Sequence, residues 1–144
     1  MLDEQRVKKE YMGLKAFLFL EEKEFKFAGF NTDKPYLVVA QQTNSKKVYT
    51  VKIDLSCFPN DVPDAFIINP KPLLTRSGES MLSASHDMHT LSGADGCVQV
   101  CHYHPRDWHP GVSLYKVVMK IRIWLEAYEH HIKTGDPLSR YLSG

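Results

Sequence analysis

The sequence predicts an α+β fold with an antiparallel sheet, and three observations carry that expectation. An N-terminal segment has loose helical spacing, the middle of the chain alternates apolar and polar residues between turn signals, and a long amphipathic stretch lies near the C-terminus. At 144 residues the chain suits one domain, 1–144, long enough to bury a real core. Hydrophobic residues make up 43% and charged residues 24%, with only eight Gly and eight Pro, so collagen-like, low-complexity and disordered classes are excluded.

Residues 3–12 carry mixed charge with Leu2, Val7 and Tyr11 at helical spacing, giving a short first helix. Phe25 and Phe27 then alternate with Glu24, Lys26 and Ala28 at the strand period. Tyr36 to Ala40 and Val48 to Leu55 form a hairpin about the Thr43-Asn44-Ser45-Lys46 turn. Cys57 to Pro63 is a proline-punctuated corner, Ala65 to Ile68 a short apolar strand, and Asn69-Pro70-Lys71-Pro72 closes it. The expectation is therefore a meander of about four strands. Residues 75–96, rich in Ser, Thr, Gly, His and Asp, read as a long surface loop, and long loops are often functional. Cys97 to Tyr103 resumes a strand pattern. Leu114, Val117, Val118, Ile121, Trp124, Leu125 and Tyr128 fall at i, i+3, i+4, i+7 spacing, a helix of about 20 residues capped by Ser113 or a neighbour and ended by Gly135 and Pro137.

Eighteen Lys+Arg against 17 Asp+Glu leave a net charge of +1, so no nucleic acid partner is expected. The N-terminus is charged with both signs and resembles no signal peptide, and the longest apolar run, Ala16 to Leu20, is far short of the roughly 20 residues a membrane span needs. A cytoplasmic protein without a membrane partner follows as the expectation. Ser143-Gly144 reads as a polar terminus, or less readily as a substrate tail.

Three cysteines, Cys57, Cys97 and Cys101, are too few for a secreted disulfide framework. If Cys97 to Tyr103 is extended, Cys97 and Cys101 lie roughly 13 Å apart, beyond the reach of a disulfide or of one tetrahedral zinc. A zinc site would need a knuckle there instead, with ligands among His86, His89, His102, His104 and His109; the spacing is irregular, and no metal or other cofactor is expected. A nucleophilic cysteine needs exposure and support for its thiolate. Cys101 follows a polar loop, precedes His102, Tyr103 and His104, and stands shortly before a helix start; flanking Val100 equally suits a packed strand residue. Cys97 is the alternative nucleophile, and Cys57 at the corner reads as a core residue.

The order of elements, the Phe58-Pro59 to Val62-Pro63 corner, and the run Asp95-Gly96-Cys97-Val98-Gln99-Val100-Cys101-His102-Tyr103-His104-Pro105-Arg106-Asp107-Trp108 followed by a helix resemble ubiquitin-conjugating enzymes. Val100-Cys101-His102-Tyr103-His104-Pro105 with Trp108 is similar to the Cys-x-Tyr-x-Pro signature of bacterial ubiquitin-conjugating-enzyme-like proteins, and Leu125-Glu126-Ala127-Tyr128-Glu129 with Thr134-Gly135 is similar to their helix ending. The resemblance spans roughly residues 35–138. It departs at the His-Pro-Asn tripeptide, replaced here by His86-Asp87-Met88-His89-Thr90, and at Gly96, whose eukaryotic spacing would put Gln99 at the cysteine position and make the protein an inactive binding variant.

The resemblance implies a ubiquitin-conjugating-enzyme-like fold and a thioester on Cys101, formed with the C-terminal glycine of a partner protein and then attacked by an amine. His89, His86 or a loop N–H would stabilise the oxyanion, and His102, His104 or Asp107 would take the amine's proton. It further implies a bacterial antiphage operon signalling with cyclic oligonucleotides and a cyclic GMP-AMP synthase-like nucleotidyltransferase as glycine donor; the chain has no Gly-rich nucleotide loop, so ATP-dependent activation comes from a separate activating enzyme or is bypassed.

Overall fold

The computed structural model describes residues 2–142; the sequence reading of Ser143-Gly144 lies outside them. The first helix, α1, spans Glu4–Leu18, with the Asp3 carboxylate accepting the Gln5 N–H at 2.9 Å at its start and Phe19 in the left-handed region, φ 55°, at its end. It runs well past residue 12. Glu10, Tyr11, Leu14 and Leu18 share one face, and Leu14 is fully buried, so tertiary packing extends a helix whose sequence period is weak.

Six strands follow: β1 Phe25–Ala28, β2 Tyr36–Gln42, β3 Val48–Asp54, β4 Ala65–Asn69, β5 Thr90–Ala94 and β6 Cys97–Val100. They form one antiparallel sheet in the order β1-β2-β3-β4-β6-β5. The expected meander is β1 to β4, but the sheet has six strands rather than about four. The added strand β5 lies inside the stretch expected to be loop. In Thr-Leu-Ser-Gly-Ala only Thr90 is β-branched, so local propensity is silent. Pairing with β6 makes the strand, through Thr90 opposite Val100, Leu91 opposite Gln99 and Ala94 opposite Cys97. Asp95 and Gly96 join the two with φ of 54° and 75°, the left-handed pair that two-residue hairpin turns require. The extended run ends at Val100 rather than Tyr103, which places Cys101 beyond the strand.

Alternation sorts the sheet into two faces. Leu37, Val39, Val51, Ile53, Ile67 and Val100 point inward and are buried against the second helix, α2, Leu114–Thr134. Its stripe of Val117, Val118, Ile121, Trp124, Leu125 and Tyr128 is buried as the spacing predicts. Gly135, φ 83°, closes α2 by donating its N–H to the His131 carbonyl at 2.7 Å.

The cap at the other end comes from far away. Ser113 makes no side-chain capping bond; instead the buried Glu10 carboxylate of α1 accepts the Leu114 N–H at 2.6 Å. Arg6 holds that carboxylate at 2.7 Å, donates to the Val112 carbonyl and lies over the Phe58 ring. A negative charge at a helix N-terminus is favourable in itself, and burial with a paired cation keeps it so. One ion pair thus joins α1, the start of α2 and the proline corner.

Candidate functional site around Cys101

Cys101 is placed by backbone bonds on two sides. Its N–H donates to the His89 carbonyl at 2.9 Å, and Trp124 of α2 donates its indole N–H to the same oxygen at 2.9 Å. His89 has φ 51°, which turns that carbonyl toward both donors at the end of the loop before β5. The thiol is half-buried and sits between two hollows. One, of about 290 Å³, is lined by His86, His89 and Thr90 from the loop. The other, of about 190 Å³, lies toward α2 among His89, His102, Lys120, Trp124 and Tyr141.

Burial raises the Cys101 thiol above its ordinary pKa, and no hydrogen bond reaches its sulfur among the described residues. Two of the imidazoles are held toward the neutral form. Burial, then the neighbouring His86 ring 5.7 Å away, lowers His89. His102 is pushed down to about 4, by burial first and by Lys120 in addition, against the opposing bond to Pro63. Its Nε2 donates to the Pro63 carbonyl at 2.8 Å, while Nδ1 is buried with no partner among the described residues. Pro63 offers only an acceptor, so the proton is assigned to Nε2.

Three sequence candidates therefore meet: Cys101, His89 and His102. His104 and Asp107 do not join them. Both are exposed, and His104 Nδ1 accepts the Arg106 N–H to cap the short 3₁₀ turn Pro105–Asp107. Cys97 is buried at the opposite end of β6, its sulfur facing the Asp95 carbonyl at 3.7 Å. Gln99 is buried mid-strand between Phe66 and Leu91. Cys57 is exposed, which corrects its reading as core: the corner buries the next residue, Phe58, instead. The zinc alternative finds no support, because among the described residues no three His, Cys, Asp or Glu are grouped to hold a metal.

Trp108 donates its indole N–H to the Pro59 carbonyl at 2.8 Å and packs on Phe58 and Tyr103. The segment after Cys101 is thereby fastened to the proline corner. Lys120, 4.3 Å over the Tyr103 ring, brings an ammonium to the smaller hollow, and the last described residues add Tyr141. Leu138 anchors that segment at full burial, and Ser139 donates its N–H to the Asp87 carbonyl at 2.9 Å. Sequence reasoning missed Lys120, Trp124 and Tyr141 as site residues. On α2 a lysine on the polar face and a tryptophan in the apolar stripe carry no local mark of a site.

Chemically, the arrangement is a partly desolvated thiol whose pKa is raised, beside His89 and His102, whose pKa values are lowered, with no carboxylate lining either hollow among the described residues. A thiol of this kind is not primed to attack an unactivated amide. No protein-family model, curated protein or solved structure significantly matches the chain.

Proposed function

We propose that the chain is a ubiquitin-conjugating-like cysteine acyltransferase with the corresponding fold. The observation that carries the reading is the half-buried Cys101 thiol at the exit of β6, open to hollows on both sides. The meander followed by the proline corner supports it, as does the bond from Trp108 to Pro59, which joins the two sequence features that the resemblance rests on. In the proposed cycle a separate activating enzyme presents the C-terminal glycine of a cyclic GMP-AMP synthase-like nucleotidyltransferase as a thioester. Cys101 sulfur attacks that carbonyl, the carrier's thiolate leaves, and the Cys101 proton passes to it or to water. An amine then attacks the new thioester, an amide forms, and the Cys101 thiol is released. In this cycle His89, which lines both hollows, donates a hydrogen bond to the oxyanion. The setting is antiphage defence in the bacterial cytoplasm.

A second reading, a non-catalytic binding module of the same fold, is favoured by the raised thiol pKa and the lack of a hydrogen bond to sulfur. Intact-mass spectrometry of the protein with the nucleotidyltransferase, the activating enzyme and ATP separates the two. The acyltransferase reading expects an adduct on Cys101 that thiols remove. Unchanged conjugation and phage protection in Cys101→Ala would overturn it.

A further inference from the structure

On the sheet face turned away from α2, a row of paired residues crosses four strands: Val38, Lys52, Phe66 and Gln99. Beside this row lies a hollow of about 600 Å³, within the range of small-molecule pockets. Its walls bring Lys34 from the β1–β2 loop, Lys52 from β3 and Lys71 from the segment after β4 to one place. None of the three has a carboxylate partner among the described ion pairs. Lys71 donates instead to the Asp95 carbonyl at 3.2 Å, and Lys52 lies 4.6 Å over the Tyr36 ring. Between the ammoniums, Phe66 and Ile68 are half-buried with no helix drawn over them.

Two carboxylates share the walls. Asp54 accepts the Ser56 N–H at 2.9 Å and its hydroxyl at 2.6 Å through one oxygen, leaving the other free, and Asp95 stands at the hairpin turn. A simple anion would gain from the lysines and lose to the aspartates. A ligand with separate parts satisfies both: phosphates for the ammoniums, hydroxyl donors for the carboxylates and a planar apolar body for Phe66 and Ile68. We propose that this hollow binds a mononucleotide-sized phosphate ligand, with Lys34, Lys52 and Lys71 on the phosphates and Phe66 under the base. The site works by side-chain charge rather than by a Gly-rich backbone cradle, so the sequence carries no motif for it. It is independent of Cys101.

Amide NMR of the full chain titrated with ATP, adenosine and pyrophosphate tests the proposal. ATP is expected to shift the signals of Tyr36, Lys52, Phe66 and Ile68 and to bind about tenfold or more tighter than adenosine or pyrophosphate, with affinity falling as salt rises. The doubly substituted Lys52→Glu, Lys71→Glu protein should lose about tenfold or more, and the milder Lys52→Gln, Lys71→Gln form should fall between, with the fold checked by circular dichroism. The site is overturned by an absence of shifts at millimolar ATP, by shifts centred elsewhere, or by lysine variants that bind as the parent does. Pyrophosphate binding as tightly as ATP would overturn the nucleotide assignment in favour of a plain anion patch.

Discussion

Cys97 and Cys101 stand at the two ends of one four-residue strand, and their surroundings differ in kind. Cys97 enters β6 from the hairpin turn, buried on the wall of the lysine-lined hollow, with its sulfur against a backbone carbonyl. Cys101 leaves β6 where the strand has ended, half-buried, its backbone tied to the His89 carbonyl that Trp124 also grips. The same side chain is a packed hydrophobe in one place and an accessible thiol in the other, and the strand boundary decides which. Had β6 continued to Tyr103, Cys101 would have taken the in-and-out alternation of the strand and shared a face with Cys97.

The largest expected effect breaks the comparison at the chemistry. Cys101→Ser should abolish the thiol-labile adduct and trap an oxyester that survives thiols but not alkali, while Cys97→Ser leaves the adduct in place; intact mass under both conditions reads it. A thiol-labile adduct surviving in Cys101→Ser would move the nucleophile elsewhere. Next comes the clamp on one side only. Trp124→Ala should cost about 3–5 kcal/mol by urea denaturation, from the lost indole and the loosened His89 carbonyl. Trp124→Phe, which keeps the bulk, should speed iodoacetamide labelling of Cys101 without changing that of Cys97.

Acid should act on the same end. His102 is held at about 4, below the 6.5 it has in an unfolded chain, and His89 is lowered too. As pH falls through 6.5 the unfolded chain takes up protons that the folded one refuses, so stability falls from pH 6.5 down to about 4, by on the order of 3 kcal/mol for His102. Above pH 6.5 the contribution is flat. Urea midpoints across pH 4 to 7 should flatten in His102→Asn; an unchanged slope would remove His102 as the cause. The smallest effect is at the quiet end, where Cys97→Ala should cost about 1 kcal/mol, the loss of one buried sulfur.

How much of this the sequence carried depends on how local each cause is. The second helix was legible to within a residue or so, because Leu114 to Tyr128 keep one period and Gly135 with Pro137 ends it. The hairpin about Thr43 was legible for the same reason, and its turn is held to α2 by Glu129, which accepts from Thr43, Ser45 and Tyr49. The strand β5 was not, since its partners on β6 make it a strand. Cys57 was misplaced because a proline corner can bury either of two neighbours, and only the three-dimensional turn chose Phe58. At the site, Cys101 and His89 were named in advance, but nothing in the spacing separated His89 and His102, which face the thiol's hollows, from His104, which caps an exposed turn. Lys120 and Tyr141 reach the site only through the packing of α2 and the chain beyond it.

The Glu10 cap also bears on the order in which the molecule can assemble. Glu10 and Leu114 are 104 residues apart in sequence. At a synthesis rate of about 5–20 residues per second, the carboxylate emerges roughly 5 to 20 s before the amide it will cap. Until then Glu10 has Arg6 as its one partner among the described residues, and the start of the second helix lacks its cap. The two helices should therefore lock last, after the sheet has formed, which makes the junction of Glu10, Arg6 and Val112 a seal on a nearly finished fold rather than a place where folding begins.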